Sequence, residues 1–398
     1  MIATVVGLLV AGCGGGPSGS ATATFKNATG EGDWTILVFL SADNDLERFG
    51  ILNFNQMEKV GSSSRVNIVV QMDRSPGYDT SNGNWIGCRR YLVTKDGDAN
   101  IIHSTLLQQM GDVDMGSPDT LREFIRWGQQ NYPASHYCLV IWDHGSGWRM
   151  AKTGEPATRN VSFDDTSGTS IGTVDLPYAL SSASPPMDVI AFDASLMQML
   201  EIAYELQGSG GVMVGSEESP PGEGYVYDRW LSKLAASPGM SPRELGAVIA
   251  QEYVNAYVNQ YDVNQSVVEL ARVRGVAEAA NDLAAAVIPH ATTDSAALRT
   301  ARTSAQHYAF DYYKDLLDYA GLVNQVVPDP AISAAYRRLQ SALSAAVIFE
   351  AHTGTSVERS HGLSIYVPDP ADYISRYETL SFCRDYPNWA AWLKAQAE

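Results

Sequence analysis

Basic residues are scarce in this chain. Across 398 residues, Lys and Arg total 27 against 45 Asp and Glu, a net charge of −18. No basic patch is available to neutralise phosphates, which excludes nucleic acid as a partner. Cationic ligands stay compatible, although most of an acidic surface is simply solvated. Cysteine is rarer still. Cys13, Cys88, Cys138 and Cys383 lie far apart with no CxxC pair, so neither a zinc site nor a disulfide framework is expected. Cys138 falls inside an apolar run and reads as a small buried residue. The histidines show no HExxH or other paired ligand spacing, which removes a metal-catalytic centre. Beyond the N-terminus no segment is long and apolar enough to span a membrane. Acidic pairs at Asp43/Asp45, Asp96/Asp98, Asp112/Asp114 and Asp164/Asp165 miss EF-hand spacing and read as solvated turn residues. The expected cofactor set is empty, with calcium in an acidic loop the one alternative left open.

What is present is ordinary globular material: 45% hydrophobic and 18% charged residues, in a length that suggests about two or three domains. The first segment carries an address. Residues 2–11 are apolar and run into Gly12 and Cys13, followed by a Gly/Ser-rich stretch. A short apolar region closed by small residues reads as a secretory signal rather than a membrane span. It resembles a bacterial lipobox with Cys13 as the lipidated residue, although no Lys or Arg precedes the run. Residues 1–13 are thus expected to be a lipoprotein signal and 14–32 a flexible tether. The implied location is the bacterial cell envelope, lipid-anchored, periplasmic or surface-exposed.

From residue 33 apolar runs alternate with helical periodicity. Residues 34–40, 66–72, 137–142, 188–192 and 211–215 read as strands, the central ones buried on both faces. A helix carries Leu46, Phe49, Leu52 and Met57, and another spans Pro118–Asn131 behind a capping Ser117. A hairpin is expected between residues 87–93 and 99–105 around Asp96-Gly97. Residues 149–174 form a long polar loop, a length that usually marks function or mobility. A helix over 197–206 is expected to open just after Ser195. This alternation predicts a three-layer α/β/α sandwich with a mostly parallel sheet over 33–235. Residues 236–398 read as a helix-rich C-terminal part packed on it. Its helices fall at 242–258, 275–288, 295–320 and 331–350, with a late strand at 362–367 and a helical tail.

Two strand ends carry the chemistry. The run 137–142 leads into Asp143, His144 and Gly145, and the run 188–192 leads into Asp193, Ala194 and Ser195. In an open α/β sheet the carboxyl ends of strands are where sites form. A lone buried His is usually a satisfied core residue, but His144 sits beside glycines that permit close approach of a ligand. Ser195 by itself reads better as a helix N-cap than as a nucleophile. Amides of Gly145 and of Ser195, at the expected helix start, are natural donors to an oxyanion. A GxSxG match at 168–172 lacks the preceding strand that a nucleophile elbow requires and is read as chance.

The order WTILVFLSADNDLE, VVQMDR, LVIWDHGSGW, IAFDASLM, VGSEESPPGEGYVYD and HGLSIYVP resembles the clostripain family of cysteine peptidases, from about Trp34 to the C-terminus. The resemblance implies a caspase-like fold, with His144 as the catalytic base. The family nucleophile is a Cys in an Asp-Ala-Cys-Leu-Met context, and this chain has Ser195 there. Family members cut after Arg or Lys, using acidic groups in the S1 pocket. Asp193 matches one such group. Glu217, Glu218, Glu223 and Asp228 are candidates for a second, with Glu223 preferred. Members can also be cut between base and nucleophile, where Arg149, Lys152 and Arg159 stand; with Ser195 an intact chain is expected. A thiol with an ordinary pKa of about 8.5 ionises readily beside an imidazole, whereas a hydroxyl needs a base oriented by a third group. No such group is identifiable from the sequence. The expectation is therefore an Arg/Lys-directed endopeptidase that is weak or inactive, the alternative being a pseudopeptidase that binds basic segments without cutting. An envelope scaffold with a vestigial pocket is a third reading.

Overall fold

The structure is a computed structural model and describes residues 32–148 and 161–396. Cys13 and the residues 149–160, with Arg149, Lys152 and Arg159, lie outside the described residues. In chain order the N-terminal elements are β1 (Gly32–Ala42), α1 (Glu47–Glu58), β2 (Val66–Arg74), β3 (Cys88–Leu92), β4 (Thr105–Gly111), α2 (Pro118–Asn131) and β5 (Ala134–Trp142). The middle contains β6 (Val161–Asp164), β7 (Thr169–Ile171), α3 (Leu176–Leu180), β8 (Met187–Asp193), α4 (Leu200–Glu205) and β9 (Gly210–Gly215). Then come α5 (Tyr227–Ala236), α6 (Pro242–Tyr257), β10 (Val263–Glu269), α7 (Val273–Val287), α8 (Ser295–Ser304), β11 (Tyr313–Asp315) and α9 (Leu316–Val326). The chain finishes with α10 (Pro330–Ala346), β12 (Val347–Thr353), β13 (Ser364–Tyr366), α11 (Ser381–Asp385) and α12 (Asn388–Ala395).

Nine strands form one sheet in the order β12-β10-β9-β8-β5-β1-β2-β3-β4. The five in the middle, β9, β8, β5, β1 and β2, run parallel, and the outer strands on both sides are antiparallel to their neighbours. Alternation along each strand divides two cores. Ile36, Val38 and Leu40 of β1 face α1, α5 and α6, while Leu37 and Phe39 face the opposite layer of α2, α4, α7 and α10. Strands buried on both faces must be apolar throughout, which is why their runs were readable. The three-layer α/β/α arrangement is the expected one.

Four expectations change. The hairpin partner of β3 is 105–111, not 99–105, with Leu92 opposite Thr105. Residues 96–104 are instead tied to α1, where Glu58 Oε1 accepts from the amides of His103 and Ser104. The expected helix at 295–320 is split by β11, which pairs with β13. The helix from 331 ends at Ala346, and β-branched and aromatic residues carry 347–353 into the main sheet. Within residues 236–398, β10 and β12 join the sheet of the preceding part. The polar loop also contains structure: β6 and β7 pair around Gly168, whose φ of +69° suits the turn, and Ser170 of the GxSxG match lies in β7.

Candidate active site

The site stands where β5 and β8 end side by side. Trp142 is in register with Asp193, and the Asp143 amide donates to the Asp193 carbonyl at 3.2 Å. Asp143 is a buried strut. Its Oδ1 accepts from Asn44 Nδ2 at 2.8 Å and its Oδ2 from the Phe163 amide, joining the ends of β1, β5 and β6. Gly145 then passes against the Ser195 backbone. A Cβ on Gly145 would lie 2.3 Å from the Ser195 carbonyl oxygen and 2.8 Å from its nitrogen, so only glycine fits.

Ser195 opens a sharp turn. The expected helix start is not there: α4 begins at Leu200, so Ser195 neither caps a helix nor draws on one for its amide. Leu196 adopts a φ of +66°, which breaks any helical path and costs about 1–2 kcal/mol for a non-glycine residue. Remote backbone holds the turn. Leu196 N donates to Glu218 O, Gln198 N to Ser216 O and Ser364 N to Gln198 O, at 3.3, 3.1 and 3.0 Å. A strand leading into a strained turn that presents a hydroxyl is the geometry of a nucleophile elbow, without the immediate helix.

His144 and Ser195 face one cleft of about 160 Å³, lined also by Asp193, Leu46, Pro220 and Gly222. His144 Nε2 lies 2.7 Å from Asp45 Oδ1, and its ring meets Phe163 edge-on at 6.1 Å. The Asp45 carboxylate is the orienting group that sequence reasoning did not find. Its signal is the Asp43/Asp45 pair, which by sequence alone reads as solvated turn. No hydrogen bond joins the Ser195 hydroxyl to His144 among the described residues, an openness common in unliganded sites. The three cysteines among the described residues, Cys88, Cys138 and Cys383, are buried, and burial pushes each thiol up. None of them lines the cleft.

The acidic candidates separate cleanly. Asp193 is buried at the floor of the cleft. Its Oδ1 accepts from the Tyr225 amide at 2.9 Å and its Oδ2 from the Tyr227 hydroxyl at 3.0 Å. Burial pushes its carboxyl up to about 7, and the Tyr225 and Tyr227 bonds act in the opposite direction. Gly224, with a φ of +56°, leaves room for it: a Cβ there would sit 2.5 Å from Asp193 Oδ1. Glu223 is half-buried between Gly222 and Gly224, which both line the cleft, and its carbonyl accepts from Asn53 Nδ2. Glu217 is enclosed behind the turn, accepting from Gly362 N and Asn264 Nδ2; burial and the nearby Asp315 push its carboxyl well up. Glu218 Oε1 accepts from the Ser219 and Ala309 amides, and Asp228 pairs with Lys59 at 3.0 Å. These last three brace the structure, leaving Glu223 as the member of the set nearest the cleft, its carboxylate without a hydrogen bond among the described residues.

A mostly parallel sheet between helical layers, with a His and a hydroxyl at adjacent strand ends, defines the class of caspase-like α/β peptidases. The clostripain family model matches residues 38–395, and the chain belongs to that family. Clostripain from Hathewaya histolytica is 26% identical over 416 residues, covering 89% of this chain and 78% of that protein. Two solved structures share the fold. A secreted C11 cysteine protease from Bacteroides thetaiotaomicron, in complex with an irreversible peptide inhibitor, aligns with a TM-score of 0.67 and 23% identity, covering 91% of this chain and 99% of that one. An inactive zymogen C11 protease from Parabacteroides distasonis gives 0.70 and 21%, covering 90% and 99%. The family acts on proteins or peptides, and peptidase function follows for the site class.

Proposed function

We propose that the chain is an endopeptidase directed to Arg or Lys, with Ser195 as nucleophile and His144 as base. One observation carries the reading: the two residues face the same cleft, whose floor is the Asp193 carboxyl. Substrate would place its basic side chain over Asp193 and beside Glu223, a charge-assisted recognition. The Ser195 hydroxyl adds to the scissile carbonyl as His144 takes its proton, and Asp45 stabilises the imidazolium. The amides of Gly145 and Ser195 receive the oxyanion. His144 returns the proton to the leaving amine, and water then cleaves the ester by the same route in reverse. The Asp45 partner answers the need of a hydroxyl nucleophile for an oriented base. A hydroxyl at Ser195, where the family nucleophile is a thiol, favours a second reading, a protein that binds basic segments without cutting them. A membrane tether through Cys13 is part of the proposal, supported by the apolar run before it; Cys13→Ala should release the protein from the detergent phase.

Hydrolysis of Arg- and Lys-terminated reporter peptides separates the readings. Parent activity that falls by about 10² or more in His144→Ala supports serine catalysis. Activity confined to Ser195→Cys, with binding in the parent, identifies the binding protein. Absence of both turnover and binding refutes both.

A further inference from the structure

Asp193 is held by buried groups that take no part in the chemistry. It ends β8 with 4% of its surface exposed, and no Lys or Arg pairs with it among the described residues. Its oxygens meet neutral donors: the Tyr225 amide at 2.9 and 3.1 Å and the Tyr227 hydroxyl at 3.0 Å. The neighbouring tyrosines direct their hydroxyls elsewhere. Tyr225 donates to Phe192 O at 3.1 Å and Tyr257 to Gly224 O at 2.6 Å. Tyr227 opens α5, fully buried, with its ring packed against Tyr225 and Trp230 at 6.2 and 5.8 Å. Its backbone is fixed as well. The Tyr227 amide donates to Gln56 Oε1 at 3.0 Å, and Asn53 Nδ2 reaches the same oxygen at 3.2 Å. Asn53 also donates to Glu223 O and Tyr225 O and accepts from Trp142 Nε1 at 2.7 Å. Through Asn53 and Gln56, α1 thus ties the segment around Asp193 to the β5 wall of the cleft.

We propose that Tyr227 is a positioning residue that sets S1 selectivity, its hydroxyl keeping Asp193 ready for the cation of a substrate side chain. The inference rests on Asp193 being the floor of S1 and adds what makes that floor selective. A buried carboxylate without a cation is unfavourable, so in the empty pocket it tends to hold a proton. Hydrogen bonds from neutral donors favour the ionised form without supplying a counter-charge. The charge then stays unpaired until a substrate brings its own. Burial raises this carboxyl, the Tyr225 and Tyr227 bonds lower it, and it stands at about 7. Its buried neighbours, Tyr225, Cys138 of β5, and Tyr253 and Tyr257 of α6, are all pushed up by burial and stay neutral there. Asp228 of α5 is paired with Lys59. The other charged groups are Glu223 on the loop and His144 across the cleft. A hydroxyl that does not itself titrate near neutral pH is therefore the contact that tunes Asp193.

The test is calorimetric affinity of the full chain for two non-cleavable peptides, one ending in Arg and one in citrulline, its uncharged counterpart, between about pH 5.5 and 9. In the parent, preference for Arg over citrulline is expected to rise with pH through about 7. Tyr227→Phe keeps the ring and loses the hydroxyl. It should move the midpoint of that rise up by about one unit and cut the Arg preference at neutral pH roughly 10-fold. Citrulline binding should not change, and the Arg preference should return at the alkaline end. An unmoved midpoint, or a loss equal for both peptides at every pH, overturns the proposal. Gln56→Met frees the Tyr227 amide and serves where Tyr227→Phe fails to fold by circular dichroism. Its midpoint should move the same way by less, and an unmoved one overturns the proposal. Asp193→Asn separates the two levels. Arg preference that survives Asp193→Asn, or is absent from the parent, refutes the S1 assignment and the proposal with it. Preference lost in Asp193→Asn but unshifted in Tyr227→Phe refutes the role of the tyrosine alone.

Discussion

At the scale of single residues, the decisive contact is Asp45 to His144. A hydroxyl nucleophile depends on its base being held in one orientation and stabilised once protonated. In the proposed mechanism Asp45 does this from a largely exposed position, with 64% of its side chain accessible, so solvent screens part of its charge. Asp45→Asn should lower kcat by roughly 10- to 100-fold, less than the about 10⁴-fold loss for a buried triad aspartate, and the loss should deepen as salt is removed from the parent's assay. Asp193 works differently. Its carboxyl is held up to about 7 by burial, so it carries a full charge only above neutrality. Affinity for a non-cleavable Arg-terminated peptide should rise as pH passes from 6 to 8, and the rise should flatten in Asp193→Asn. The sign for stability is opposite. The unfolded carboxyl ionises near its ordinary value, the folded one only near 7, so the folded state holds the extra proton between them. Asp193 therefore contributes stability in acid that is lost as pH rises toward 7, and Asp193→Asn should remove that slope from a denaturation series.

At the scale of elements, the turn after β8 explains what could and could not be read from the chain. The runs 137–142 and 188–192 were legible as strands because both faces are buried and every position is apolar. The helix expected at 197–206 begins only at Leu200, because Met197-Gln198-Met199 has helical composition while Gln198 bonds to Ser216 and Ser364 and the preceding Leu196 to Glu218. Nothing local announces bonds supplied from so far along the chain. The grouping of Asp43, Asp73 and Asp112 is hidden for the same reason: in sequence Asp43 and Asp112 each stand beside a near neighbour, Asp45 and Asp114, while in space both meet Asp73. His144 and Ser195 were legible because strand ends in a parallel sheet converge on one edge. Asp45 was not, since its role depends on where β1 sits beside β5. Gly145 is a test of the element packing. Gly145→Ala drives a methyl into the Ser195 backbone, so peptide turnover in a Ser195→Cys background should fall by about 10² or more, with a drop in melting temperature from the same overlap.

At the scale of the molecule, the sheet divides by sequence. Strands β1 to β5 form one contiguous side, β8, β9, β10 and β12 the other, and the seam is the β5–β8 pairing. His144 leaves the last strand of one side and Ser195 the first strand of the other. Neither side contains a site by itself. Two polypeptides divided between β5 and β8 would each carry a silent half, and turnover would begin only when the halves found one another. Catalysis by the Ser195→Cys form, or peptide binding by the parent, would thus serve as a gauge of fragment association, with the peptide itself acting as the clasp.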